Sequence, residues 1–156
     1  VGPRHIGISR VRGGDAPLHI LGVAAWGPGA ESVPVMQASA TSPPVVDGPD
    51  AAKTVEEFVQ ELRNCKGSLG GMVHYLHVGS AVGEAILFDL GTPQKLTRVA
   101  VRNRVTQGQP AIEERLVGCL VQVLAEDKTT IVAQRAIERG VAECTWDLAA
   151  VTPGPQ

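Results

Sequence analysis

Aromatic side chains are scarce: two Trp, one Tyr and two Phe in 156 residues, 3% of the chain. A ligand site built chiefly on stacked rings therefore has little to be made from. Cysteine is equally sparse. Three residues form an odd set with no CxxC pair, which argues against both a disulfide framework and a zinc site. Cys119 and Cys144 fall on apolar faces of expected strands and Cys65 follows a helical run, so buried free thiols are the expectation. No stretch approaches the roughly 20 apolar residues that cross a bilayer. There is no charged, then apolar, then small-residue leader, and Val1 is not an initiating residue, so the chain is expected to be a piece of something longer. A formal net charge of -2 gives no global attraction to nucleic acid or to an anionic membrane.

Catalytic and metal signatures are also missing. His74 and His77 stand three apart, which in the strand expected there puts them on opposite faces and not on one metal. Gly67 to Gly71 lacks the lysine and the serine or threonine of a phosphate loop. Neither a GxSxG elbow nor a cysteine with an evident histidine partner occurs, and no enzyme activity is expected.

What the chain does have is 18 Gly, 11 Pro, 44% hydrophobic and 19% charged residues, the balance of a folded domain with many turns. Residues 1–150 are expected to form one domain, and the Pro-Gly-Pro tail at 151–156 reads as a linker. The organising stretch is Ala85 to Arg104. An apolar run, Ala85 to Leu90, breaks at Gly91-Thr92-Pro93 and is followed by an alternating run, Leu96 to Arg104. A period of two sets Thr97, Val99 and Val101 on a core face and Arg98, Ala100, Arg102 and Arg104 on a basic one.

Around it, residues 4–26 read as a hairpin, with Ile6 and Ile8 sharing a face in one strand and Leu18, Ile20, Ala24 and Trp26 in the other. Residues 27–50 read as a long connection with one short strand, Val33 to Ser39. Over 51–64 the period changes. Val55, Phe58, Val59 and Leu62 recur at helical spacing, with Asp50 as the expected cap and Gly67 beyond the end. Core strands follow over 72–148, at Met72 to Val78, at the central pair, at Leu116 to Leu124, at Thr130 to Ile137 and at Glu143 to Leu148. Phe88, Val99, Val121 and Trp146 are the expected core. Seven or eight short strands and one helix predict an all-β fold, an antiparallel β-sandwich.

The succession Leu87-Phe88-Asp89-Leu90-Gly91, Leu96 to Val101, Asn103-Arg104, Arg115-Leu116 with Gly118, and Val121-Gln122-Val123 resembles the discoidin-type domains, also called galactose-binding-like or coagulation-factor C-terminal-like domains. Val45-Val46-Asp47-Gly48 is similar to that family's valine-aspartate-glycine loop, and the similarity runs from about Arg4 to Leu148. The resemblance implies a jelly-roll sandwich whose loops at one end bind sugars, lipid headgroups or proteins. It also implies a structural calcium, with Asp47 as the loop carboxylate and Asp50 and Thr54 as further oxygens; the alternative is a bare turn, since Gly22 stands where the family commonly has a glutamate.

The ligand set that the resemblance implies is Arg102, Asn103, Arg104, Glu113, Glu114 and Arg115. Two functions are expected of such a module. One is non-enzymatic interaction with other subunits of a larger surface or virion-type assembly. The alternative is lectin-like recognition of galactose- or fucose-type glycans. Both place the domain outside the cell, on a cell surface or on a virion. An aromatic residue beside the arginines would favour the sugar.

Overall fold

The computed structural model describes residues 2–11, 17–49, 53–104, 108–109 and 114–148. The described residues form eleven strands: β1 His5–Ser9, β2 Leu18–Trp26, β3 Ser32–Val33, β4 Gln37–Ala40, β5 Val45–Asp47, β6 Tyr75–Val78, β7 Ala85–Asp89, β8 Arg98–Asn103, β9 Leu120–Leu124, β10 Ile131–Ala136 and β11 Glu143–Asp147. One α-helix, α1, spans Val55–Cys65. The strands make two antiparallel sheets, in the orders β10-β9-β1-β7-β4 and β11-β8-β2-β6-β5, with β3 beside one end of β2. This is the all-β sandwich expected. The strands beyond eight come mostly from the 27–50 connection, where β3, β4 and β5 stand in place of one strand at 33–39.

Pairing departs from sequence order twice. β1 and β2 are not a hairpin: β1 lies between β7 and β9, whereas β2 lies between β6 and β8 in the other sheet. Likewise β7 and β8 share no ladder, and each contributes to the core from its own sheet. Phe88 of β7 is fully buried and Val99 of β8 nearly so, as are Val121 and Trp146. Those four residues were the expected core. The strand expected over Leu116 to Leu124 is also shorter, because Glu114–Leu116 is a 3-10 turn and the ladder begins at Leu120.

A bulge in β2 resets its faces. Ile20 is opposite Asn103 and Gly22 is opposite Arg102, which leaves Leu21 as the extra residue. Leu18 and Ile20 therefore share the core face with Val23 and Ala25, and not with Ala24 and Trp26 as simple alternation predicts. The outer face receives Gly22, Ala24 and Trp26. Helix α1 covers part of it: a side chain at Gly22 would meet Leu62 at 2.7 Å and Leu69 at 3.2 Å, so glycine is what admits the helix to the sheet. Ala24 and Ala100 are accordingly buried, and the face of β8 read as basic is solvated only in part.

The helix begins later than its periodicity suggests. Thr54 is its N-cap in a capping box: the Thr54 hydroxyl accepts from the Glu57 backbone N–H at 3.2 Å, and the Glu57 carboxylate accepts from the Thr54 backbone N–H. Asp50, the expected cap, and residues 51–52 lie outside the described residues. Phe58, Val59 and Leu62 supply the buried stripe. The Asp89-Leu90-Gly91 turn is fixed by the Asp89 carboxylate, which accepts from the Gly91 N–H at 2.8 Å and from Arg4 Nε at 3.0 Å. Gly91 there has φ of 90°, a conformation that favours glycine.

Candidate functional site

The register of three strands assembles a polar cluster on the outer face of the second sheet. Asp47 of β5 is opposite Tyr75 of β6, and His77 of β6 is opposite His19 of β2. Directly paired residues share a face, so all four side chains stand together. Arg104, one residue past β8, lays its guanidinium over the Tyr75 ring at 4.4 Å from the centroid. Its Nη1–H also donates to His19 Nδ1 at 3.1 Å. From the turn at Glu114–Leu116, Arg115 donates Nη1–H to the same nitrogen at 3.1 Å.

These contacts set the tautomers. Because His19 Nδ1 accepts, the proton of the neutral ring is on Nε2 and is donated to His77 Nδ1 at 3.0 Å. Burial, then Arg104, His77 and Arg115, lower the pKa of His19 to about 3, with Asp47 acting weakly in the other direction. His19 is thus a neutral acceptor held between cations. Burial pushes the Tyr75 phenol up, Arg104 pulls against it, and the neighbouring Asp47 carboxylate adds to the rise. Asp47 also accepts from the Gly48 N–H at 2.8 Å.

Beside this cluster opens a cleft of about 670 Å³, walled by Asp47, Tyr75, Arg102 and Arg104 on its polar side and by Leu21, Met72 and Val73 on its apolar side. Leu21 reaches it because of the β2 bulge. The cleft brings together four of the residues expected to be functional: Asp47, Arg102, Asn103 and Arg104. They are not equivalent. Arg102 is paired with Glu143 at 3.0 Å, and Asn103 is buried with its Nδ2–H donating to the Val141 carbonyl. Arg104 is the cation at the wall that has no carboxylate within 4 Å among the described residues. Arg115 approaches the cluster from a separate hollow that it shares with Glu114. Glu113 lies outside the described residues.

Of the residues that the resemblance implies for calcium, Asp47 accepts from the Gly48 N–H, Thr54 Oγ1 takes part in the capping box, and Asp50 lies outside the described residues. Among the described residues no group of three or more His, Cys, Asp or Glu side chains could hold a metal ion.

His19, His77 and Tyr75 were missed by sequence reasoning. The available signal was slight: the only tyrosine and a histidine two apart on one strand, with no hint of the register that brings His19 opposite. A second groove, of about 480 Å³, runs between α1 and strands β4 and β7. Of its polar groups Asp89 accepts from Arg4 and His5 Nδ1 contacts the Ala125 carbonyl at 3.0 Å, while Glu56, Arg63 and Lys128 stand along its walls. No family model, curated protein or solved structure matches this chain.

Proposed function

We propose that this chain is a non-enzymatic glycan-binding module, discoidin-like in its fold, of a protein displayed outside the cell or on a virion, with the cleft beside Arg104 as its binding site. The observation that carries the reading is the convergence of Arg104 and Asp47 on one open cleft, a fixed donor fork and a fixed acceptor, which is what orienting a polyhydroxylated ring requires. An aromatic residue does stand beside the arginine. Tyr75, however, has its ring under Arg104 and is buried, so it fixes the guanidinium and offers no stacking platform. Binding that rests on polar contacts alone is expected to be weak, about millimolar or about 4 kcal/mol for a monosaccharide, since each contact first displaces water.

The resemblance points to galactose- or fucose-type glycans. The test is binding of the chain to a glycan array and, for hits, by NMR titration. Arg104→Ala is expected to lose most of the binding with the circular dichroism spectrum unchanged.

A second reading, an interaction module in a larger assembly, is supported by Val45 on the edge strand β5 and Val73 at the cleft rim, which are 58% and 57% exposed. On that reading the array is blank, and a neighbouring chain covers this rim with more than about 1,000 Å² of total buried surface.

A further inference from the structure

Arg104 and Arg115 point their guanidinium groups at one atom, His19 Nδ1. A ring nitrogen has a single lone pair, so two donors sharing it leave each guanidinium with most of its hydrogen-bonding capacity unused. Bringing two cations this close also costs Coulomb energy, which a neutral imidazole does little to offset. The carboxylates do not correct the imbalance. Among the described residues, the ion pairs of this chain engage Arg4, Lys53 and Arg102, and none engages Arg104 or Arg115. Asp47, the acid of the cluster, accepts from the Gly48 N–H and makes no ion pair with either arginine. Arg104 is held in place by the Tyr75 ring and by His19, and His19 in turn by His77, so the fork is rigid before any ligand arrives.

From this geometry we infer that the glycan taken by the cleft is an acidic one, with its ring toward Asp47 and its carboxylate or sulfate at the cleft's edge, bridging Arg104 of the wall and Arg115, which reaches the same His19 nitrogen from the neighbouring hollow. The inference rests on the glycan reading above and adds the chemical class of the ligand. A planar carboxylate or a tetrahedral sulfate matches paired guanidinium forks and supplies the missing negative charge. The hydroxyls of the same residue supply donors for Asp47.

The test is an array in which neutral glycans are matched with carboxylated and sulfated counterparts, probed with the unmodified chain at low salt. Binding confined to, or at least tenfold stronger for, the acidic members is expected, with the preference shrinking as sodium chloride is raised toward 0.5 M. Inorganic sulfate is expected to compete for the same site. Arg115→Gln should abolish the acidic preference while Arg115→Lys keeps part of it, with unchanged melting temperatures showing that the fold is intact. Equal binding of neutral and acidic members overturns this inference and leaves the glycan reading standing. A blank array overturns both.

Discussion

Gly7 and Gly22 offer the same substitution in two settings, and the structure assigns them opposite signs. Gly7 is in the middle of β1, where an added Cβ would touch Leu87 at 3.6 Å and Leu124 at 3.7 Å, ordinary van der Waals distances. Gly22 is under α1, where the same atom would be 2.7 Å from Leu62 Cδ2 and 3.2 Å from Leu69 Cδ2. Leu62 is only 5% exposed and Leu69 3%, so neither has room to retreat without disturbing the helix.

Gly→Ala by itself restricts the unfolded chain and stabilises by about 0.4 to 1 kcal/mol where the native backbone accepts it. Gly7→Ala is therefore expected to raise stability by that amount. At Gly22 overpacking costs about 1 to 3 kcal/mol and outweighs the gain. In equilibrium urea unfolding, with a slope of about 2 kcal/mol per molar, the two variants should differ in midpoint by roughly 1 M, on either side of the parent. A Gly22→Ala midpoint at or above that of the parent would refute the docking of α1 on this face. A loss at Gly7 equal to that at Gly22 would show that backbone conformation, and not the space around Cβ, sets the sign.

Other outcomes follow from particular contacts. Thr54→Ala removes the side-chain half of the capping box and should cost about 1 kcal/mol in the same urea assay, a loss that Thr54→Ser should largely avoid. Val121→Ala should cost about 1 to 3 kcal/mol through lost burial and a small cavity, and an unchanged midpoint would contradict its place between the sheets. For His19 the folded pKa is lowered to about 3 from an ordinary 6.5, so the unfolded chain binds the extra proton first. Its contribution to stability is complete above pH 6.5 and is lost as the pH falls toward 3. Melting temperature should drop over that window, His19→Gln should flatten the drop, and an NMR titration of the His19 ring with a midpoint near 6.5 would overturn the assignment. Asp89, held below the usual carboxylate range by Arg4 and the Gly91 N–H despite the opposing cost of its burial, adds its own loss only at the acid end, below about pH 4.

Element type was easier to read than partnership. The alternation in Ile6 and Ile8, in Ile86 and Phe88, and in Val99 and Val101 marks real strands, because a half-buried strand must alternate. Nothing in that pattern says which edge meets which. β1 finds its neighbours some 80 and 115 residues away, and no local signal encodes that choice. The bulge at Leu21 was invisible for a related reason: one inserted residue leaves the composition unchanged and exchanges the faces of everything after it. β4 is four polar or small residues and β5 is only three residues long, so they carry too few periods to stand out from loop. Arg102, Arg104 and Asp47 were singled out through their motifs, and all three line the cleft. The histidine pair was not, since it exists only once β2 and β6 are in register.

The place of β1 bears on how the chain acquires its structure. This strand is the spine of its sheet, yet its two ladders wait for β7 and β9, which emerge from the ribosome much later. Until residue 124 has been made, one flank of β1 is an open edge capable of pairing with another nascent chain. Closing such distant ladders is slow, of the order of milliseconds to seconds for sandwiches rich in non-local contacts. Loss of residues 5–9 would accordingly not trim the sandwich at its margin. It would divide one sheet into two pieces, β10-β9 and β7-β4, with no common backbone ladder between them.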